Sequence, residues 1–140
     1  MLRIVLADWD AARTEASRIR LRVFVEEQRV PAEIELDEHD AQSLHALAYL
    51  QGRAVGTGRL LPDGHIGRMA VLREARARGV GSAILGRLVD EAARRGLREL
   101  ALSAQTHAIP FYRRHGFSPR GEVYEEAGIP HQDMRLVLNA

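Results

Sequence analysis

Residues 66–82 read Ile66-Gly-Arg-Met-Ala-Val-Leu-Arg-Glu-Ala-Arg-Ala-Arg-Gly-Val-Gly-Ser82. The first part of this stretch reads as a β-strand that ends at Leu72, and an arginine-rich turn leads from it into the first turn of an amphipathic helix. Gly79 and Gly81 stand where that helix begins. Glycine lets a ligand approach the backbone closely and adopts dihedral angles that other residues avoid. The stretch therefore predicts a strand–turn–helix unit with an open main chain at the helix start.

The helix start of this unit has the chemistry of a phosphate site. Bare N–H groups in a first helical turn, under the positive end of the helix dipole, bind phosphate or diphosphate. Arg76 and Arg78 add charged donors whose planar fork matches phosphate oxygens. We therefore expect the protein to handle a phosphorylated cofactor.

The composition is that of one globular domain, and it excludes several functional classes. The 140 residues are 46% hydrophobic and 28% charged, so we assign residues 1–140 to a single domain. The chain has no cysteine, which excludes disulfides, thiolate nucleophiles and cysteine-ligated metals. All 20 basic residues are arginine, so no lysine can form a Schiff base. The net charge of +1 gives little support for nucleic-acid binding.

No apolar run reaches the ~20 residues that a membrane-spanning helix needs. Residues 1–8 are too short and soon too polar for a signal peptide, and we interpret them as the start of a first strand. We therefore expect a cytoplasmic protein with no membrane partner.

Apolar periodicity and turn residues predict the element order β-α-β-β-β-α-β-α-β-β. Asp10 is predicted to cap the first helix, Gly81 to begin the second, Gly96 to end it, and Pro110 to start the third. The predicted strands cover residues 3–7, 45–50, 54–61, 65–72, 97–104, a segment from 117 onward, and 134–138, with a glutamate-rich loop before the last strand.

Three local patterns, together with the element order, resemble the GNAT superfamily of acyl-coenzyme A N-acyltransferases. The turn at 76–81, Arg-Ala-Arg-Gly-Val-Gly, is similar to the family's diphosphate loop, (Gln/Arg)-x-x-Gly-x-(Gly/Ala). The segment at 111–117, Phe-Tyr-Arg-Arg-His-Gly-Phe, is similar to the aromatic motif after the fifth strand. Residues 22–28 with 30–31, and residues 128–131, resemble a subgroup of small bacterial members with no well-defined substrate. The resemblance covers essentially the whole chain.

The resemblance implies an α/β (mixed α+β) fold with a central, mostly antiparallel, twisted sheet of six to seven strands. Helices would flank the sheet, which would be splayed between strands 4 and 5. The pantetheine arm of acetyl-coenzyme A (acetyl-CoA) would lie in this gap and pair with the backbone of Met69, Ala70 and Val71 like an added strand. The thioester carbonyl would then lie near the Val71 N–H, which could stabilise an oxyanion. The implied cofactor-binding residues are Met69, Ala70, Val71, Arg76, Arg78, Gly79, Val80, Gly81, Ser82, Gln105 and Tyr112.

Tyr112 is the implied catalytic acid. In the family, a tyrosine at this motif position lies near the cofactor sulfur and donates a proton to the leaving thiolate. Because the ordinary phenol pKa lies above that of a thiol, a hydrogen bond to the thiolate is the alternative form of this role. A tyrosine that only packs on a short helix is the structural alternative.

The general base has several candidates. In some relatives a carboxylate stands four residues before the backbone triplet, and this chain has His65 there. Imidazoles titrate near neutrality, which suits proton removal from an amine. His107 and Glu27 are further choices, and an ordered water chain is another.

The acidic stretch at residues 26–40 could attract a cationic amine, or it could be an ordinary solvated loop. Asp37, His39 and His45 follow no recognised ligand spacing, so we predict no metal site.

The implied activity is transfer of an acetyl group from acetyl-CoA to a primary amine by direct attack through a tetrahedral intermediate. An acyl-enzyme is excluded because there is no cysteine and no serine in a nucleophile elbow. The alternative from another class is a non-catalytic acyl-CoA sensor. The acceptor, a small-molecule or peptide amine, stays open, as do the acyl chain and the oligomeric state. A homodimer is the commonest assembly for a small enzyme.

Two further classes are disfavoured. A dinucleotide-binding motif would need a third glycine where Ile84 stands, and a P-loop would need a lysine. The arginines at residues 73–98 lie among acidic residues, so we expect their charge to be balanced locally rather than presented to nucleic acid.

Overall fold

In the computed structural model, which describes residues 1–32 and 37–138, seven strands and three α-helices follow the predicted order. The strands are β1 (Leu2–Ala7), β2 (Leu44–Leu50), β3 (Arg53–Leu60), β4 (Ile66–Val71), β5 (Glu99–Gln105), β6 (Ser118–Glu126) and β7 (Ile129–Val137). The α-helices are α1 (Trp9–Arg20), α2 (Val80–Arg94) and α3 (Ile109–Arg114). Residues 33–36 of the predicted acidic stretch lie outside the described residues.

The strands form two hydrogen-bonded sheets, in the orders β1-β2-β3-β4 and β5-β7-β6, and neighbours within each sheet are antiparallel. A parallel bridge between His65 and Ala101 joins the sheets at the start of β4, where the Ala101 N–H also donates to the Gly64 carbonyl (3.1 Å). From this vertex β4 and β5 diverge toward Val71 and Gln105. The expected mixed fold, splayed between strands 4 and 5, is confirmed.

Helix α2 lies close to β3 because β3 carries glycines where the helix crosses it. A Cβ at Gly56 would lie 2.9 Å from the Ile84 and Val80 side chains, and one at Gly58 would lie 2.9 Å from Ile84. The apolar stripe of α2 packs on the core, with Ile84, Leu85, Leu88 and Ala92 buried and Val89 partly buried, and this packing holds the start of the helix beside the end of β4. The amphipathic helix predicted after the glycine turn is therefore confirmed.

Helix α1 begins two residues earlier than the predicted cap implied. The Asp8 carboxylate, rather than that of Asp10, accepts from the Ala11 N–H (2.9 Å), and Asp10 lies within the first turn. Both residues suit a helix start, so composition alone did not separate them. A π-helical segment (Leu21–Glu27) continues the helix. π-Helical turns are rare in proteins, and those that do occur lie frequently at functional sites.

The glutamate-rich region is a β-hairpin, which corrects the predicted loop. Strand β6 continues through Glu126, β7 begins at Ile129, and the two residues between them, Ala127 (φ 52°) and Gly128 (φ 76°), both have positive φ. Two positive-φ residues match the twist of a two-residue hairpin turn. The sequence signal was weak because alanine is uncommon in that conformation.

Helix α2 ends as predicted and begins one residue early, at Val80. Gly96 has φ 81°, and the Leu97 N–H donates to the Ala92 carbonyl (3.1 Å), which closes the helix C-terminus. Pro110 lies in the first turn of α3, also as predicted. Within the described ranges, no helix combines the length and the apolar character needed to span a membrane.

Candidate active site

The main cavity lies in the gap between β4 and β5 and has a volume of about 730 Å³. The π-helical segment covers one side, and the β6–β7 hairpin covers another. Predicted site residues in its wall are Glu27, His65, Met69, Ala70, Val71, Arg76, Gln105, His107 and Tyr112. The fold thus brings most of the predicted cofactor and catalytic residues to one place.

The end of β4 presents main-chain groups to this cavity. The Leu72 N–H donates to the Val55 carbonyl of β3 (2.8 Å). Successive residues of a strand direct their main-chain groups to opposite edges, so those of Val71 face away from β3, toward the gap. Those of the preceding Ala70 face β3. The resemblance implied backbone contacts from the whole triplet, whereas this alternation leaves the Ala70 N–H and C=O with β3.

A β-bulge interrupts β4 just before this point. Gly58 of β3 faces both Arg68 and Met69, because the register shifts between Thr57 and Arg59. Arg68 has φ 50°, a conformation that arginine rarely adopts. Bulges occur often next to active sites, where they redirect a strand.

A second cavity, of about 350 Å³, lies at the start of α2. Predicted site residues in its wall are Val71, Arg76, Gly79, Val80, Gly81 and Ser82. Gly79 immediately precedes the helix with φ 77°, which favours glycine there, and a Cβ on Gly81 would come within 3.4 Å of the Phe111 ring. The two cavities share Val71 and Arg76 in their walls.

The arginines of the turn differ in their surroundings. Arg76 donates from Nε to the Val71 carbonyl (3.0 Å) and from Nη2 to Glu27 Oε1 (2.9 Å). Arg78 is exposed and lines neither cavity. The Ser82 hydroxyl lies 3.0 Å from His115 Nε2, which links the start of α2 to the end of α3.

Tyr112 projects from α3 into the main cavity. Its ring makes edge contacts with Phe111 and Phe117, with centroids 5.1 and 6.0 Å away. Burial raises the pKa of its hydroxyl to about 12. The phenol is therefore protonated throughout the physiological range and can act as a hydrogen-bond donor.

Comparison with known proteins identifies the family to which this site belongs. Residues 10–138 match the acetyltransferase (GNAT) domain. The chain belongs to the GNAT family. It is an N-acetyltransferase of that family, whose members use acyl-CoA as co-substrate and act on small-molecule or peptide acceptors.

Relatives of this GNAT enzyme span nearly its full length. It is 39% identical over 137 residues to the uncharacterized N-acetyltransferase YjcF of Bacillus subtilis, covering 95% of this chain and 98% of that protein. The solved structure of an acyl-CoA N-acyltransferase from Pseudomonas aeruginosa has a TM-score of 0.86 and 31% identity, over 98% and 100% of the two chains. Escherichia coli ElaA has a TM-score of 0.86 and 28% identity, over 97% and 99%.

The three candidate bases in the GNAT cavity have different surroundings. The His65 side chain is 58% exposed, and its Nδ1 lies 3.0 Å from the Asp63 carboxylate. His107 is exposed, in the 3-10 turn before α3. Hydrogen bonding to Arg76 lowers the pKa of Glu27, so its carboxylate holds a proton less readily than an ordinary glutamate. None of these contacts selects one of the three as the base.

Gln105, at the end of β5, reaches across the cavity mouth. Its side-chain amide exchanges two hydrogen bonds with that of Gln28 (2.8 and 3.2 Å), which follows the π-helical segment. The side chain predicted to contact cofactor therefore ties the covering segment to the sheet.

An ionic network with a buried centre, which the sequence did not reveal, lies beside the main cavity. Arg20 pairs with both oxygens of Asp40 (2.9 and 3.0 Å), and Arg59 pairs with both oxygens of Asp37 (2.8 and 2.9 Å). Arg59 also bonds Asp40, and Arg68 bonds Asp37, each at 2.9 Å. Burial alone would raise the pKa of Asp37, but the paired Arg59 and Arg68 lower it to about 2. Asp37 and Asp40, two residues of the acidic stretch, are therefore engaged in ion pairs with arginine side chains.

Two other sequence expectations concern surface charge and metals. Within the 73–98 region, Arg94 and Arg95 pair with Glu91 (2.6 and 2.9 Å), whereas Arg73 and Arg76 pair with Glu27 of the π-helical segment. Across residues 1–32 and 37–138, no group of three or more histidines and acids is arranged to hold a metal ion.

Proposed function

We propose that this GNAT enzyme transfers an acetyl group from acetyl-CoA to a primary amine by direct attack. The observation that carries the proposal is the pair of cavities that meet at Val71. One cavity has the chemistry of a diphosphate site, and the other is an extended gap that contains the Tyr112 phenol. Acetyl-CoA carries a diphosphate, a long pantetheine arm and a thioester, so its parts match the two adjoining cavities in order.

The diphosphate is proposed to bind at the start of α2. The first N–H groups of a helix have no intrahelical partner, and here they belong to Val80, Gly81 and Ser82 after the positive-φ Gly79. The Ala83 N–H already donates to the Gly79 carbonyl (3.0 Å), so the available donors are concentrated in the first turn. Anions are stabilised at such a position.

The thioester is proposed to lie along the end of β4. There the Val71 N–H, which faces the gap, would donate to the thioester oxygen as negative charge develops on it. A fixed donor in a water-poor site stabilises an oxyanion more strongly than water does. The rest of the rate acceleration would come from holding the amine and the thioester together in the gap in a reactive orientation.

Tyr112 is proposed to assist departure of the thiolate. A phenol with a pKa of about 12 would transfer its proton to a thiol of pKa ~8.5 uphill by roughly 5 kcal/mol. Its contribution is therefore a hydrogen bond that strengthens as negative charge forms on the sulfur.

Calorimetry with acetyl-CoA, together with thiol release across a panel of amines, tests this function. We expect binding of acetyl-CoA and thiol release with at least one primary amine. Gly81→Trp should abolish binding, because its side chain would fill the space beside Phe111, while Gly86→Ala on α2, with nothing within 4 Å of its Cβ, should bind normally. Binding without turnover for any amine would favour an acyl-CoA sensor, and no binding at all would refute the proposal.

A further inference from the structure

His131 is a buried histidine in the wall of the main cavity, 8% exposed. It lies in β7, the middle strand of its sheet, opposite Gln105 on one side and Tyr124 on the other. The two-residue turn of the β6–β7 hairpin fixes this register. His131 is thus placed beside the end of β5, in the same cavity as Tyr112.

The proton on the His131 ring is fixed by one main-chain contact. Its Nδ1 lies 2.7 Å from the Ile129 carbonyl oxygen. A carbonyl only accepts hydrogen bonds, so Nδ1 carries the proton and donates it there. In the neutral ring, Nε2 therefore holds the lone pair.

The surroundings of Nε2 leave that lone pair available. A carboxylate oxygen of Glu126 lies 3.7 Å away, and an ionised carboxylate has no proton to donate. The Glu126 side chain is 60% exposed, so it connects this edge of the cavity to solvent.

The ring is also held in orientation. The Tyr124 ring lies nearly parallel to it, with an interplanar angle of 21° and centroids 6.1 Å apart. The Tyr124 hydroxyl donates to Asp133 (2.6 Å) and bonds Ser103 of β5. A positioned imidazole with one nitrogen occupied and the other available has the geometry of a general base.

We propose that His131 Nε2 is the general base that deprotonates the acceptor amine, an inference that rests on the acetyltransferase function proposed above. Nε2 takes one proton from the ammonium group and releases it to solvent past Glu126. The neutral nitrogen attacks the thioester carbon, forming the C–N bond as the C=O pair moves onto oxygen. Return of that pair breaks the C–S bond. The sulfur leaves as a thiolate hydrogen-bonded to Tyr112, and the second nitrogen proton completes the free thiol.

The geometry favours His131 over His65, one of the candidate bases suggested by the family resemblance. Both histidines have Nδ1 engaged, that of His65 by the Asp63 carboxylate, but the His65 side chain is mostly exposed. His131 is buried, and its neighbour Gln105 precedes the turn that leads to Tyr112. Other titratable or charged groups in the wall of this cavity are Glu27, His39, Arg59, Asp63, His65, Arg68, Arg76, His107, Tyr112 and Glu126.

Two substitutions remove the basic Nε2 of His131, and one of them keeps the hydrogen-bond donor to Ile129. Asparagine places its amide nitrogen near Nδ1, so His131→Asn keeps the donor to Ile129 and removes the base. Glutamine places its amide near Nε2, so His131→Gln also lacks a base. We expect both variants to lose about 10²- to 10⁴-fold in kcat, while acetyl-CoA affinity, measured by calorimetry, stays within a factor of about two of wild type.

The pH profile supplies a readout that a structural role would not change. In wild type, kcat should fall as pH decreases, because protonation of Nε2 removes the base, and His131→Asn should lose that acidic limb. Imidazole added to His131→Asn should restore part of the rate. A His131→Asn enzyme with wild-type kcat and an unchanged limb, alongside a large loss in His65→Gln, would overturn the assignment.

A measurement on the wild-type enzyme covers the case in which neither variant folds. Nitrogen-15 NMR of the histidine rings should show His131 protonated at Nδ1 when neutral, and a proton on Nε2 instead would overturn the proposal. Failure of the acetyltransferase function has a different signature, since wild type would then release no thiol with any amine.

Discussion

Val71 is the residue at which donor binding and chemistry are proposed to meet. The residue lines both cavities, its N–H faces the gap, and its carbonyl accepts a hydrogen bond from Arg76. Two of these three features belong to the main chain. The proposed role of the residue therefore depends mainly on the course of β4 and on the Arg76–Glu27 pair that fixes the turn after it.

Tyr112→Phe should lower kcat by about 10²-fold, because it removes the hydrogen bond to the leaving thiolate. Acetyl-CoA affinity should be unchanged, since the ring and its contacts with Phe111 and Phe117 remain. With the pKa of the hydroxyl raised to about 12, wild-type kcat should not decline through loss of this proton between pH 8 and 10. Thiol-release kinetics across that range check both statements, and an equal kcat in the variant would contradict them.

Asp37 should make unfolding pH-dependent in acid. Its pKa is about 2 in the folded state, against 3.8 as the ordinary value, so the folded state favours the ionised form. The resulting stabilisation, about 2 kcal/mol, is present above pH ~4 and is lost as pH falls through about 2. Urea unfolding of wild type and Asp37→Asn between pH 7 and 2.5 measures it. If the two proteins lost stability in parallel, the network would not be its source.

At the scale of elements, the contact between α2 and β3 sets the position of the helix start. The glycines of β3 let the helix approach, and the proposed diphosphate donors lie at its first turn. The packing of α2 on β3 thus positions the proposed diphosphate donors relative to the end of β4.

Gly58→Val should destabilise the protein by about 1–3 kcal/mol, because its Cβ would lie 2.7 Å from Met69 Sδ and 2.9 Å from the Ile84 side chain. Gly86→Ala is the matched control, because its Cβ meets nothing within 4 Å. In the interior of α2 it should stabilise by about 0.5–1 kcal/mol. Chemical denaturation gives both values, and a neutral Gly58→Val would show that the helix can shift without cost.

The elements also show which features the sequence could predict. The order of strands and helices, the apolar stripe of α2 and the glycine turn follow from local periodicity and from residues with particular dihedral angles. The Arg20–Asp40 pair joins residues 20 positions apart, and the Arg59–Asp37 pair spans 22, so no local pattern encoded either. His131 stood in a segment noted for its resemblance, but its contact with Ile129 depends on a hairpin that an unusual alanine conformation concealed.

At the scale of the whole molecule, the two sheets meet at a vertex and separate where the donor is proposed to bind. A ligand in the gap would bridge β4 and β5, and it would also contact the helix that packs on β3. Binding should therefore stabilise the folded molecule as a unit.

Acetyl-CoA at 100 times its Kd should raise the free energy of unfolding by about 2.7 kcal/mol. Hydrogen exchange should slow most at the amide of Val71 and in the first turn of α2, because those N–H groups are the proposed donors. Thermal denaturation and amide exchange with and without ligand measure these effects. Protection confined to other regions, such as β1, would contradict the proposed binding mode.

The vertex itself depends on the absence of one methyl group. Gly64 has φ 97°, and a Cβ there would lie 2.6 Å from the Glu99 carbonyl oxygen. Any side chain at this position would clash with β5 and would push the two sheets apart at the point where they meet. A substitution at Gly64 should therefore widen the main cavity through a residue that does not itself line that cavity.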